Sequence, residues 1–132
     1  MDAEKLYEWQ NKTILIVEDD LSSAFYLKEV LDDTGVNLLF ATDGNQAIEL
    51  VREHPEIDLV LMDIQMPILN GYEATKKIKH FRPKLAVIAQ TAYAFTKDKD
   101  LCYEAGCDGY IAKPIQPKEL LDHVAPYMDH RP

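Results

Sequence analysis

Cysteine is scarce in this chain: Cys102 and Cys107 are the only two among 132 residues. Their spacing does not fit a Cys-x-x-Cys redox pair, and no third or fourth soft ligand lies nearby for zinc. Reduced, structural thiols are expected. The four histidines, His54, His80, His123 and His130, are scattered without ligand spacing and receive no role. No apolar run approaches the roughly 20 residues of a membrane span. The N-terminus, Met1-Asp2-Ala3-Glu4-Lys5, lacks both the basic start and the apolar core of a signal peptide. The expectation is a cytoplasmic protein without membrane contact. Positive charge is short as well: 14 basic residues against 23 acidic ones leave a net charge of −9. A nucleic-acid partner would need a dense positive patch to displace counterions, so none is expected. The densest basic stretch, Lys76, Lys77, Lys79, Arg82 and Lys84, falls on one helix and its exit and reads as a solvated face.

What is present suits one globular domain. Hydrophobic residues make up 47% and charged residues 28%, far from a disordered composition. Residues 1–11 read as a leader or interdomain linker, 12–128 as the domain and 129–132 as a tail. Thr13-Ile14-Leu15-Ile16-Val17 is apolar without alternation, as in a strand covered on both faces. After Glu18-Asp19-Asp20, the residues Leu21, Ala24, Leu27 and Leu31 recur at helical spacing, with Asp20 as the cap and Gly35 past the end. The unit then repeats. Strands are expected at 36–41, 57–62, 85–90 and 109–112. Asp43 caps a helix with Ala47, Ile48 and Val51 inward, and a helix from Asn70-Gly71 carries Ala74, Thr75 and Ile78. Thr96 caps one with Leu101, Cys102 and Ala105 inward, and Pro117 opens one bearing Leu120, Leu121 and Val124. Strict alternation implies an α/β fold, a doubly wound parallel sheet of five strands with five helices. The flavodoxin-like order 2-1-3-4-5 is the natural one, with ligands at the strands' carboxyl ends.

Chemistry gathers at those ends. The first strand leads into Glu18 and Asp19, the third into Asp63, the fourth into Thr91 and the fifth into Lys113. In the expected order these strands are consecutive neighbours about 4.8 Å apart. Singly, an acid after a strand is most often a helix cap. Jointly, three carboxylates, a hydroxyl and an ammonium converge on one crevice. Carboxylates that close repel by about 4 kcal/mol per pair at an effective dielectric near 20, so one protonates or a cation joins them. An all-oxygen donor set suits Mg²⁺, which would also offset the charge of an incoming phosphoryl group. Asp63, central and following a fully apolar strand, is the natural nucleophile for an acyl phosphate. Lys113 would face the phosphoryl oxygens, and Thr91 would donate a hydrogen bond to them.

The runs Ile14-Leu15-Ile16-Val17-Glu18-Asp19-Asp20, Leu61-Met62-Asp63-Ile64-Gln65-Met66-Pro67 with Asn70-Gly71, Gln90-Thr91-Ala92 and Lys113-Pro114 resemble the receiver domain of two-component signalling. The resemblance covers about residues 12–126. It implies a phosphoacceptor signalling domain, not an enzyme, that assists its own phosphorylation and dephosphorylation. Asp63 would take its phosphoryl group from the histidine of a kinase or of a histidine phosphotransfer domain. Mg²⁺ would be held by Asp19, Asp63 and the backbone carbonyl of Gln65, with Glu18, which stands where many members carry Asp, assisting. A cis bond between Lys113 and Pro114 is implied too. Gln65 and Tyr93 would flank the path of attacking water and so gate dephosphorylation. Thr91 and Tyr110 would form a switch that reshapes the face made by the fourth helix, fifth strand and fifth helix, where a partner or a second copy would bind. The wording of the motifs is similar to receivers of hybrid histidine kinases; a stand-alone regulator and a piece of such a kinase both remain open. A rival magnesium phosphohydrolase would need a second Asp where Gln65 stands. A nucleotide-binding relative would want a phosphate loop, not acids, after the first strand.

Overall fold

A parallel strand with helices on both sides is buried on both faces and runs almost continuously apolar. Every residue of β1 (Thr13–Val17), β3 (Leu59–Asp63) and β4 (Ala86–Thr91) is buried. In the computed structural model, which describes residues 7–65, 70–92 and 96–129, these three strands form the centre of the sheet. Strands β2 (Asn37–Ala41) and β5 (Gly109–Ala112) are the edges, and the order is β2-β1-β3-β4-β5, all parallel. The helices are α1 (Leu21–Asp32), α2 (Gly44–Glu53), α3 (Gly71–Phe81), α4 (Thr96–Ala105) and α5 (Pro117–Met128). The expected doubly wound architecture is therefore the observed one.

Local chemistry sets the helix starts. Asp20, Asp43 and Asn70 each accept a hydrogen bond from the backbone three residues on, at 2.9, 2.8 and 3.0 Å. Pro117 sits at the first turn of α5. Thr96, expected as a cap, is instead the first residue of α4. Residues alternate between the two faces of each central strand, so two apolar clusters form. One unites Leu15, Val17, Val60 and Met62 with Ile48 of α2 and Ile78 of α3. The other unites Ile14, Ile16, Leu59 and Leu61 with Leu27 of α1 and Val124 of α5.

Several side chains depart from the helical pattern, Ala24 of α1 being only half-buried. Leu21, expected inward, is 79% exposed; it is the first residue of α1. Leu101 is exposed too, one residue and so about 100° around the helix from the buried Cys102. Leu121 is only half-buried. Trp9, which stands before the first strand, is 2% exposed and lies in the second cluster. Its backbone N–H donates to the Thr34 carbonyl at 2.7 Å, and its indole N–H donates to Asp129 at 2.8 Å.

Gly71 joins α3 to the end of β3. Its N–H donates to the Ile64 carbonyl at 3.1 Å. A Cβ there would meet the Asp63 carbonyl oxygen and lie 2.8 Å from the Ile64 Cα, both backbone atoms that cannot swing aside. Ala in place of Gly ordinarily stabilises a helix by up to about 1 kcal/mol. Gly71→Ala is expected to do the reverse and cost about 1–3 kcal/mol, the usual cost of overpacking, read as a lower midpoint in urea unfolding.

Candidate functional site

Register levels the polar residues at the carboxyl end of the sheet. Val17 pairs with Met62, which sets Glu18 beside Asp63. Asp63 pairs with Gln90, and Thr91 with Ala112, the residue before Lys113. The Lys113 N–H donates to the Thr91 carbonyl at 2.7 Å, extending the ladder by one residue. The peptide bond between Lys113 and Pro114 is cis. Glu18, Asp63 and Thr91 are buried, and Asp19 is exposed.

Side chains then close the group. Carboxylate oxygens of Glu18, Asp19 and Asp63 lie within 4.8 Å of one another. The Lys113 ammonium is 3.4 Å from Glu18 Oε1 and 3.5 Å from Asp63 Oδ1. Two backbone N–H groups support the acids: Asp20 donates to Glu18 Oε2 at 3.2 Å, and Gln65 donates to Asp63 Oδ1 at 3.2 Å. Asp20 thus has a second part besides capping α1, one that the sequence pattern alone could not separate from the cap. Tyr110, on β5, is half-buried; Tyr103 meets its ring edge-on at 6.4 Å, and the Lys99 ammonium lies 5.8 Å from its centroid. Tyr93 lies outside the described residues.

Three acids against one lysine leave the crevice short of positive charge. Burial, then the Asp63 charge and a hydrogen bond to Asp63, push the Glu18 carboxyl up to about 7 from 4.5; Lys113 opposes this. A group of oxygen donors, two buried and one exposed, with one of the buried pair reluctant to ionise, fits a hard divalent cation. Glu18 is harder to ionise in the fold than in the unfolded chain. Its contribution therefore favours the fold most when pH is low and fades as pH rises from about 4.5 through about 7. In EDTA, the wild type is expected to lose on the order of 2 kcal/mol more than Glu18→Gln between pH 5 and pH 7.5, measured by chemical unfolding at both pH values. Parallel losses in the two proteins would show that Glu18 carries no such burden.

Comparison with known proteins agrees with this geometry. The family described as response regulator receiver domain matches residues 14–125. A probable transcriptional regulator, ycf29 of Pyropia yezoensis, is 39% identical over 113 residues, which are 84% of this chain and 50% of that protein. Hybrid signal transduction histidine kinase I of Dictyostelium discoideum is 38% identical, over 84% of this chain and 7% of that protein. The chain thus spans half or less of these two relatives. The polar-differentiation response regulator DivK of Brucella ovis is 34% identical, over 89% of this chain and 96% of its own length. Among solved structures, the receiver domain of sensor histidine kinase PA1611 from Pseudomonas aeruginosa, with a magnesium ion coordinated in its active site cleft, aligns at TM-score 0.82 and 31% identity. That alignment covers 91% of this chain and 99% of that one. The receiver domain of Ssk1, in complex with the histidine phosphotransfer protein Ypd1 from Saccharomyces cerevisiae, aligns at TM-score 0.85 and 26% identity, covering 90% of each chain. A match over most of the chain, to a family whose members share this sheet, makes the chain a member of the response regulator receiver domain family.

Proposed function

We propose that Asp63 is the phosphoacceptor of a His-to-Asp phosphorelay, taking its phosphoryl group from the histidine of a kinase or of a histidine phosphotransfer domain. The observation that carries this reading is the buried Asp63 carboxylate beside Glu18, Asp19 and the Lys113 ammonium. A carboxylate oxygen of Asp63 forms the new bond to phosphorus as the phosphorus–nitrogen bond of the donor breaks. The imidazole leaves and takes up a proton from solvent. The Gln65 N–H and Lys113 orient the Asp63 carboxylate before attack. Lys113 then follows the charge onto the phosphoryl oxygens, and the Thr91 hydroxyl donates to one of them. Mg²⁺ held by Glu18, Asp19, Asp63 and the backbone carbonyl of Gln65 supplies, when bound, positive charge against those oxygens.

The solved relative with a magnesium ion in its cleft and the solved pair with a phosphotransfer protein support the metal and the class of donor. The net charge of −9 sets nucleic acid aside as a partner of this domain. No described helix is long and apolar enough to cross a membrane, in keeping with a cytoplasmic setting. Acetyl phosphate with Mg²⁺ is expected to add one phosphoryl mass to the wild type and none to Asp63→Asn, measured by intact mass, and EDTA is expected to abolish the gain. A phosphorylated Asp63→Asn protein would refute the assignment.

The same reading extends to output. A phosphoryl group on Asp63 adds charge and acceptor oxygens at the end of β3 and draws the Thr91 hydroxyl towards it. Thr91 and Tyr110 lie on adjacent strands, so that displacement opens room for the Tyr110 ring to turn inward. The α4–β5–α5 face, reshaped in this way, binds a partner or a second copy of the chain. Gln65 and Tyr93 flank the water path and set the lifetime of the phosphate. With beryllofluoride as the phosphoryl mimic, amide NMR shifts are expected to run from Asp63 into residues 109–112. Shifts confined to the acidic crevice would sever the switch from the chemistry.

A further inference from the structure

A cleft of about 530 Å³ separates α1 from the loop that joins β5 to α5, next to the acidic crevice and sharing with it only Lys113 among the residues given a part above. Its walls include Tyr26 and Leu27 of α1 and Ile115 of the loop. They are tied together, because the Tyr26 hydroxyl donates to the Ile115 carbonyl at 2.7 Å. Alternation along β4 sets Gln90 on the same face as Ala86 and Ile88, towards α1 and α5, and there it borders the cleft. Gln90 is 1% exposed, and its Nε2 has no hydrogen-bond partner, the one such buried side-chain atom among the described residues. A buried donor left unpaired costs free energy that an incoming acceptor restores. Lys113 lines the same cleft, with its side chain 30% exposed.

Volume and chemistry together define an occupant. Pockets of roughly 300–1,000 Å³ with apolar walls and a few polar groups hold small molecules. The donors on offer are the Gln90 and Gln116 amides, the Lys113 ammonium and the Ser22 hydroxyl, while the Tyr26 and Ser23 hydroxyls are already committed. We propose that this cleft binds a small molecule with a carboxylate or carboxamide on a flat apolar body, the acceptor group taken by Gln90 and Lys113. The site goes beyond the phosphoacceptor reading and does not depend on it, because the binding it describes needs no phosphorylation of Asp63.

Benzoate, benzamide and toluene share one ring and differ in the acceptor, so they separate the two parts of the proposal. In titrations of the full chain followed by ¹⁵N NMR, benzoate and benzamide are expected to shift the Gln90 side-chain amide saturably, with toluene binding more weakly. Gln90→Leu is expected to weaken benzoate and benzamide about fivefold and leave toluene no weaker, as loss of one hydrogen bond requires. Ser22→Phe, at an exposed position of α1, fills the mouth and is expected to abolish binding of all three without lowering the thermal midpoint. Equal affinities in the wild type and Gln90→Leu, or saturable binding that survives Ser22→Phe, would overturn the site. If no probe binds, while a protein partner laid on α1 shifts the Gln90 signal, the occupant is a side chain and the small-molecule assignment falls.

Discussion

Mutual repulsion among three carboxylates governs the working end of this molecule. Glu18, Asp19 and Asp63 hold oxygens within 4.8 Å of one another, and the single ammonium of Lys113 faces two of them. Left free, such groups would move apart into water. They stay because Glu18 and Asp63 are anchored on the ladder of three central strands whose residues are buried throughout. The sheet spends its packing energy on keeping like charges together, and the resulting deficit of positive charge is what gives the crevice its appetite for cations and for the proton on Glu18.

Consecutive residues divide the labour of that deficit. Glu18 turns inward and is almost fully buried, touching Lys113 and the Asp20 N–H, whereas Asp19 remains at the surface. Burial makes the first reluctant to ionise, while the second stays in contact with water. The Glu18 carboxylate meets the ammonium of Lys113 across the crevice at 3.4 Å.

The sheet was legible because its signals are local. An apolar run without alternation, followed by an acid and a helical repeat, marks each β–α unit wherever it occurs, and chirality then restricts the order of strands. The polar crevice was legible for a related reason: adjacent strand ends place Glu18, Asp63, Thr91 and Lys113 side by side once the order is known. What escaped depends on distant contacts. Helical spacing groups Leu21 with Leu27 and Leu31 but does not tell that only the latter two find a core to enter. Trp9 has no periodic partners, and its burial depends on Asp129 and Thr34, far along the chain. Gln90 looked like one more strand residue; only packed coordinates reveal that its amide lacks a partner.

The contact at Gly71 bears on how the molecule can move. Backbone presses on backbone there, with the glycine against Asp63 and Ile64 and the Ile64 side chain close beside it. The head of α3 and the tip of β3 are therefore welded into one lever, and neither can slide without carrying the other. Across the crevice the build is looser: Lys113 reaches over on a long, partly solvated arm, and β5 runs along the edge of the sheet. The acidic half of the crevice is the anvil, and the lysine half is the part free to strike.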